Sequence, residues 1–576
     1  MTGMPPVRHP PIRLGIGLLS ALGVFCLLLV VYLPYVGSVH LFDWDELIFA
    51  EAAREMLESG NFGRVFVNYA PFWEKPPGFF WLQALSFHWF GVNEGAARLP
   101  SVLFTAATGA VLCLAGTFVG SISFGVLWAL LFGLSPLPSF FGRFGLIDPT
   151  FNFFVVTGIL CLFAHDETRR RKSGEERLLP VPVWLPGGYL TISALSIGTA
   201  VLIKGPLGLV VPLVCFGVYK LLVREPRLSV LQLLLFLGGT LLVASSWFAV
   251  ETLNNGSEFV TQFVTYQMRI SGTNDGHPGP VYFHALVYLF GSLPCSVFLV
   301  RGILHRSLRR ERRFQILALV WFVFVLLLFS LIQTKLLHYT LLIYMPGAFL
   351  AAGVLQSIWQ GRTRVHPLEL TGLGVLGLIL AVPMLAVPYL ARNPEILKQL
   401  VTDPGVYYYL EVPVAWGVET FAPGGLWVAG IVLTVALFAL SRPRLGITAL
   451  LVSSAVMMNL FWIVFMTRVD TYVSAPIISF IEQVGDAPFV YYGPRTFLPP
   501  FYARRQVANP STPEQLAVLL REQPNLQVVT PRTEMKQLAG LKTLKVLDRN
   551  GAYALLGAEP TQKRQNGPIA AGTPID

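Results

Sequence analysis

The sequence predicts an all-α polytopic membrane protein with a small α/β domain at its C-terminal end. Hydrophobic residues make up 54% of the 576-residue chain and charged residues only 13%, whereas about 25% of an ordinary soluble protein is charged. Long apolar stretches recur along most of the chain. Lys and Arg residues collect in the short loops on one side of the predicted bundle, as the positive-inside rule requires.

Thirteen apolar stretches of about 20 residues are long enough to cross a ~30 Å hydrocarbon core, because each helical residue adds ~1.5 Å. The first stretch is too long for a secretory signal peptide and no small-residue cleavage site follows it, so we expect it to remain as a membrane helix. The predicted spans are 14–36, 98–119, 121–141, 148–165, 183–203, 205–223, 229–250, 281–301, 314–333, 340–359, 367–390, 424–441 and 446–466.

The basic residues predict orientation. The net charge of +10 would suggest nucleic acid in a soluble protein, but here we expect no nucleic-acid partner, because twenty of the 42 Lys and Arg residues fall in short cytoplasmic loops. We therefore expect a multi-pass membrane protein with a cytoplasmic N-terminus. The loop residues are Arg8, Arg13, Arg169, Arg170, Arg171, Lys172, Arg177, Lys220, Arg224, Arg227, Arg301, Arg306, Arg309, Arg310, Arg312, Arg313, Arg362, Arg364, Arg442 and Arg444.

An odd number of crossings places the C-terminus in the periplasm, together with the large segments 37–97, 251–280 and 467–576. We divide the chain into a membrane domain over 1–466, an α/β domain over 467–558 and a disordered tail over 559–576. The predicted elements of the α/β domain are a strand at 488–492, a helix from Ser511 with Pro513 at its first position, a strand at 526–530 and a hairpin through 548–551.

Acidic residues at predicted outer helix ends are the first chemical candidates. Asp45 and Glu46 lie in the first outer loop, where a partly desolvated carboxylate can act as a general base towards a hydroxyl. A helix cap at Asp45 with Glu46 in the first turn fits the same pattern. Asp148-Pro149 opens the fourth predicted membrane helix, so Asp148 is also both a capping and a site candidate.

Four cations lie at predicted outer helix ends, against the positive-inside bias: Lys75, Lys204, Arg269 and Lys335. A lone Lys at such a position is usually an anchor whose amine reaches the interface. Four cations at one depth would suit a phosphate group at the headgroup level.

The sequence leaves a divalent metal open. Glu74, His277 and His338 fall on the outer side and are metal-ligand candidates if the fold brings them together, although no metal motif such as H-E-x-x-H is present. There is no P-loop and no G-x-S-x-G elbow, so an ATP-driven pump and a serine hydrolase have no support.

The chain resembles the GT-C superfamily of membrane glycosyltransferases, in the branch that contains bacterial 4-amino-4-deoxy-L-arabinose transferases and protein O-mannosyltransferases. The segments that carry the resemblance are Asp45-Glu46, Ala53-Arg54-Glu55-Met56-Leu57, Glu74-Lys75-Pro76, Ala97-Arg98-Leu99-Pro100-Ser101, Asp148-Pro149 with Phe151, and Lys204-Gly205. The motif set extends along the membrane domain, and the helix count and the small C-terminal domain also agree.

The resemblance implies a transferase that takes a sugar from a polyprenyl-phosphate carrier, such as undecaprenyl phosphate, within the membrane. It implies that Asp45 is the catalytic or acceptor-activating carboxylate. It places Lys75, Arg269 and the segment from Lys335 to Tyr339 near the carrier phosphate, and Asp148 as a second acidic residue of the site. We also expect Glu46, Glu74 and Lys204 to bind the substrate. The resemblance further implies a bacterial inner membrane. Lipid A is the leading acceptor, and a glycan, another glycolipid or a protein acceptor stays open.

Two departures from the family pattern bear on the substrate. Leu47 follows the acidic pair where the aminoarabinose transferases usually have Thr, and Tyr266 stands where a histidine is often found. The sugar therefore stays open between aminoarabinose and another pentose or hexose. Two alternatives are a transporter or flippase for a lipid-linked sugar, and a binding module on a membrane scaffold.

Overall fold

The computed structural model describes residues 10–171, 187–224, 228–273, 277–304 and 309–557. The predicted tail over 559–576 lies outside the described residues. Long apolar helices connected mostly by short loops make up most of the described chain, and the predicted polytopic helical architecture is confirmed.

The first half contains eleven helices and one short hairpin. Pro100 is the seventh residue of α4, beyond the first turn, so the helix lacks one internal backbone hydrogen bond there. The helices are α1 (Pro10–Tyr32), α2 (Asp45–Ser59), α3 (Gly78–Phe90), α4 (Glu94–Val119), α5 (Ile122–Gly133), α6 (Pro136–Phe141), α7 (Ile147–Arg171), α8 (Gly188–Lys204), α9 (Leu207–Val223), α10 (Val230–Asn255) and α11 (Glu258–Gly272). Strands β1 (Phe66–Val67) and β2 (Ala70–Pro71) form the hairpin.

The second half of the bundle contains ten helices. A π-helical segment, Phe461–Met466, joins α20 to α21, so the chain is helical from Pro443 to Val473 and the predicted domain boundary at 466 falls inside this stretch. The helices are α12 (Phe283–Gly291), α13 (Cys295–Leu304), α14 (Arg309–Leu331), α15 (Leu341–Trp359), α16 (Pro367–Arg392), α17 (Pro394–Leu400), α18 (Pro404–Leu410), α19 (Ala422–Ala439), α20 (Pro443–Leu460) and α21 (Thr467–Val473).

Nine described helical segments are long and apolar enough to cross a membrane, and α12 with α13, bent by 106°, raises the number to ten. The predicted spans at 121–141, 183–203 and 205–223 correspond to shorter apolar helices, α5, α8 and α9. Helix α5 ends early, before Ser135-Pro136, whereas α8 and α9 begin later than predicted, at Gly188 and Leu207, and reach their predicted ends. The count of thirteen crossings therefore stays a prediction.

The C-terminal part holds a four-stranded sheet in the order β3-β4-β6-β5. Its strands, the helix that begins at Pro513 and the hairpin through 548–551 lie at the predicted positions, whereas a separate α/β domain over 467–558 stays a prediction. Strands β3 and β4 are parallel and the other pairs are antiparallel. The elements are α22 (Ala475–Val484), β3 (Phe489–Tyr491), α23 (Leu498–Ala503), α24 (Pro513–Glu522), β4 (Gln527–Pro531), α25 (Met535–Leu538), β5 (Lys545–Asn550) and β6 (Tyr553–Gly557).

This sheet has two buried faces. Phe489 and Tyr491 of β3 belong to the main core that includes the helical bundle, whereas Val490 and Tyr492 belong to a separate small core that includes Leu516 of α24. The alternation follows from the period of two along a strand. The sheet is therefore packed against the rest of the molecule through one whole face.

Candidate active site

Asp45 is the first residue of α2, and the preceding Trp44, with a positive φ of 70°, is the N-cap. The side chain of Asp45 is 46% exposed. The capping alternative for Asp45 is thus not what the structure has, since the helix has no side-chain cap bond at this end. Asp45 remains available to solvent and to a ligand.

Glu46 points the other way and is buried. Its Oε1 accepts hydrogen bonds from Arg98 Nε at 2.7 Å and from the Gly145 N–H at 2.7 Å. Its Oε2 accepts from Arg98 Nη2 and from the Phe42 N–H, both at 2.9 Å. Both oxygens are therefore engaged within the protein, and a contact between Glu46 and the substrate stays a prediction.

Arg98 is fully buried beside Glu46 and fixes the chain that leads into α2. Besides the two bonds to Glu46, its guanidinium donates to the carbonyl oxygens of Val36, Val39 and His40 at 2.7–2.9 Å. A buried ion pair with every hydrogen bond satisfied is rigid, because its desolvation cost is compensated only in this geometry. The Glu46–Arg98 pair therefore holds Asp45 in place.

His338 lies between two carboxylates. Its Nε2 is 3.8 Å from Asp45 Oδ2 and 3.9 Å from Asp148 Oδ2. Asp148, the second residue of α7, accepts a hydrogen bond from Lys204 Nζ at 2.5 Å through its other oxygen. Asp45, His338, Asp148 and Lys204 therefore form one continuous group from α2, α7, α8 and the segment before α15.

The break between α8 and α9 positions Lys204. Gly205 has a φ of 85°, and a Cβ atom there would lie 2.8 Å from the ring of Phe263, so a larger residue would fit neither the backbone nor the space. Lys204 also lies over the rings of Tyr339, at 5.1 Å, and Phe151, at 5.6 Å. These contacts place the Lys204 ammonium beside both rings, at the Asp148 end of the group.

Lys75 and Arg269 share one aromatic ring. Lys75 Nζ lies 4.8 Å and Arg269 Cζ 5.4 Å from the centre of the Tyr266 ring, and the Tyr266 hydroxyl is hydrogen-bonded to Glu74. Burial lowers the pKa of Lys75, and the charges of Glu74 and Asp45 oppose that shift. Burial also raises the pKa of Tyr266, as does Glu74, so the phenol stays protonated. The tyrosine holds two cations and one carboxylate together.

Lys335 does not join this group. Its buried ammonium donates to the backbone oxygens of Phe329, Ser330 and Ile332, the last carbonyls of α14 and the turn that follows it. A lysine that satisfies the free carbonyls of a helix end is a cap. In this arrangement Lys335 supports the segment that carries His338 and Tyr339 and does not contact the acidic residues.

The metal-ligand candidates are not assembled. Among the described residues, no three His, Cys, Asp or Glu side chains come together in a group that could hold a metal ion. Glu74 is bonded to Tyr266, and His338 lies between the two aspartates. The backbone oxygen of His277 accepts a hydrogen bond from the Lys335 N–H at 2.9 Å.

Comparison with known proteins identifies the family. The family model for dolichyl-phosphate-mannose-protein mannosyltransferases matches residues 17–253. An uncharacterised protein of Aquifex aeolicus is 30% identical over 69% of this chain and 78% of its own length. The undecaprenyl phosphate-alpha-4-amino-4-deoxy-L-arabinose arabinosyl transferase of Erwinia tasmaniensis is 26% identical over 71% of this chain and 75% of its own. The chain belongs to the GT-C superfamily of membrane glycosyltransferases.

The fold of this GT-C protein agrees with a solved structure. The crystal structure of ArnT from Cupriavidus metallidurans bound to undecaprenyl phosphate has a TM-score of 0.72 at 18% identity and covers 94% of this chain and 98% of its own. The family resemblance predicted from the motifs is confirmed. The chain is accordingly a polyprenyl-phosphate-sugar-dependent glycosyltransferase, which sets the transporter alternative aside.

Most residues of this GT-C site are predicted from the sequence, but the contacts of three residues are not. His338 was only a metal candidate, Tyr266 only a departure from the family, and Arg98 only part of a motif. The signal for Arg98 was available: a charged residue within an apolar membrane helix is costly unless it is paired, and Glu46 is an acidic residue of the preceding loop.

Proposed function

We propose that the chain transfers a sugar from an undecaprenyl-phosphate carrier to an acceptor at the periplasmic face of a bacterial inner membrane. One observation carries the proposal. The exposed carboxylate of Asp45 lies next to His338, whose other neighbour is the Asp148–Lys204 ion pair. An exposed carboxylate beside fixed cations suits a reaction in which a hydroxyl attacks a sugar and a phosphate leaves.

The cations would act on the leaving group. Lys75, Lys204 and Arg269 supply three positive charges, and the phosphate oxygens gain negative charge as the glycosidic bond breaks. Charges that are already fixed before the reaction stabilise such a transition state without reorganisation. Lys204 is fixed by Asp148, and Lys75 and Arg269 are fixed against the Tyr266 ring.

Asp45 is the carboxylate that would act on the acceptor hydroxyl. Asp148 is neutralised by Lys204, so its role is to orient that lysine. Asp45 has no such direct cationic partner among the described residues, other than His338 at 3.8 Å, and its side chain is half exposed. It can therefore accept the proton of an incoming hydroxyl or orient it, while displacement proceeds with inversion at the sugar carbon.

The names of the relatives favour a particular donor. Aminoarabinose on undecaprenyl phosphate is named for the transferases of Erwinia tasmaniensis and Yersinia enterocolitica, at 26% and 25% identity. We propose the same carrier, undecaprenyl phosphate, for this chain, and the sugar stays open between aminoarabinose and another pentose or hexose. A lipid A-type lipid is the proposed acceptor, with a glycan or a protein as the alternative class.

A transfer assay tests the function. The full chain, reconstituted in proteoliposomes, is given undecaprenyl phosphate carrying a radiolabelled sugar, with lipid A as acceptor. Asp45→Asn should abolish labelled product, and Asp548→Asn, at an exposed acid on β5, should transfer normally. Full activity of Asp45→Asn would refute the role of Asp45.

The acceptor is tested in cells. Mass spectrometry of lipid A and of total glycolipids, with and without the gene, should show one glycosylated lipid that disappears with the gene. An unchanged lipid profile together with an altered protein or glycan would replace the lipid acceptor by the alternative class.

A further inference from the structure

A cavity of about 690 Å³, apart from the candidate active site, lies beside the sheet of the C-terminal part. Strand β3, the segment 495–500, the segment 505–509 and the end of α24 line it, and Asn68 of the first hairpin loop closes one side. The size falls in the range of small-molecule sites, about 300–1,000 Å³. No described residue that lines it is acidic, and two are arginines, Arg495 and Arg505.

The two arginines differ in how they are held. Arg505 stacks on the Phe489 ring at 5.3 Å and donates to the carbonyl oxygens of the turn 485–487, so it is anchored. Arg495 stacks on the Phe497 ring at 4.9 Å and is exposed. Within the described part of the chain it makes no ion pair and no side-chain hydrogen bond. Its guanidinium is therefore oriented but has all of its donors available.

The wall that carries Arg495 is attached to the loop of the catalytic carboxylate. The Phe497 N–H donates to Asp43 Oδ1 at 3.0 Å, and the Phe497 ring packs edge-on against Trp44 at 6.0 Å. Asp43 is two residues before Asp45. A ligand held by Arg495 is thus placed next to the segment that presents Asp45.

We infer that this cavity binds the phosphate-bearing sugar headgroup of the acceptor lipid. A planar guanidinium fixed on an aromatic ring is suited to bidentate contact with phosphate. The side-chain amides of Gln506 and Gln523 are exposed at the cavity and suit sugar hydroxyls. The absence of acids among the described lining residues favours an anion over a cation. The inference rests on the proposed function, in which Asp45 acts on the acceptor hydroxyl.

Binding of lipid A to the full chain in detergent tests the inference. The variants are Arg495→Gln, Arg495→Lys and the control Arg549→Gln, an exposed arginine on β5, at the opposite edge of the sheet. We expect Arg495→Gln to weaken binding of bisphosphorylated lipid A about tenfold, the loss of one charge-assisted contact. Arg495→Lys should lose less, and Arg549→Gln should bind normally.

Two further arms identify the ligand. Dephosphorylated lipid A should bind the wild type as weakly as intact lipid A binds Arg495→Gln, and inorganic phosphate should compete only weakly. Equal lipid A binding by Arg495→Gln and the wild type would overturn the inference, and so would strong competition by inorganic phosphate. Undecaprenyl phosphate should bind Arg495→Gln normally, and a matching loss there would mean that the effect passes through the Asp43 loop.

The same samples separate this inference from the proposed function. If wild-type protein binds lipid A through Arg495 but transfers no sugar to it, the proposed acceptor reaction is wrong and the cavity is still a headgroup site. If transfer proceeds and the affinity for lipid A does not depend on Arg495, the reaction stands and the cavity assignment is wrong.

Discussion

Replacing Arg98 tests whether Glu46 positions Asp45 or binds substrate. Arg98→Met removes a guanidinium that is 0% exposed and leaves Glu46, 2% exposed, without its cation. Breaking a buried pair from one side costs about 3–5 kcal/mol, since the remaining charge is uncompensated. The three carbonyl oxygens of Val36, Val39 and His40 also lose their donor.

Glu46→Gln should be milder. The single amide oxygen of glutamine can accept from only one of the Gly145 and Phe42 N–H groups, and Arg98 loses its full counter-charge, a loss of about 1–3 kcal/mol. The order of stability should therefore be wild type, then Glu46→Gln, then Arg98→Met. The double variant Glu46→Met with Arg98→Met should recover part of the loss, because it contains no unpaired buried charge.

The assay is thermal unfolding of the full chain in detergent, with sugar transfer measured on the same samples below the unfolding temperature. Our account requires stability and activity to fall together. A Glu46→Gln variant with wild-type stability and no activity would refute it, since Glu46 would then act on the substrate directly.

Three further predictions concern the cations and His338. Lys75 must be protonated to bind phosphate, and burial lowers its pKa, so transfer should decline at a lower pH than the titration of an ordinary lysine would give. Lys75→Arg should move this decline to higher pH, because an arginine stays protonated. An unchanged pH profile in Lys75→Arg would contradict this. Tyr266→Phe keeps the ring under Lys75 and Arg269 but loses the bond to Glu74, so carrier affinity should fall about tenfold. Tyr266→Leu also removes the ring and should lose more affinity. Equal carrier affinities of Tyr266→Phe and Tyr266→Leu would show that the ring does not hold the cations. His338→Ala should lower kcat at least about tenfold with little change in carrier affinity, because His338 contacts Asp45 and Asp148; a pure loss of affinity would make it a carrier ligand.

The sequence predicted which residues meet better than which way they point. Asp45, Lys75, Asp148 and Lys204 lie at the ends of predicted outer helices, and residues at one membrane depth in one bundle are brought to one region. Direction depends on rotamers and neighbours. Glu46 and Asp45 are adjacent in sequence, but a helix turns its successive side chains by about 100°, so one is buried and the other exposed.

Lys335 shows the same limit. A lysine at a helix end can bind a ligand or donate hydrogen bonds to the free carbonyl oxygens of that helix end. The sequence does not show which of these contacts it makes. The structure has it on the carbonyls of α14. The helix count was limited for another reason, because hydropathy does not reveal where α5 ends or where α8 and α9 begin within an apolar region.

The affinity for undecaprenyl phosphate tests the central claim most directly. We predict that the full chain with both Lys75→Met and Arg269→Met binds this lipid at least about tenfold more weakly than the wild type, because two fixed charges near the phosphate are lost. Asp45→Asn should bind it with wild-type affinity, although it transfers no sugar. Normal binding by the double variant, or an equal loss of binding in Asp45→Asn, would contradict a site in which cations hold the carrier and Asp45 serves the acceptor.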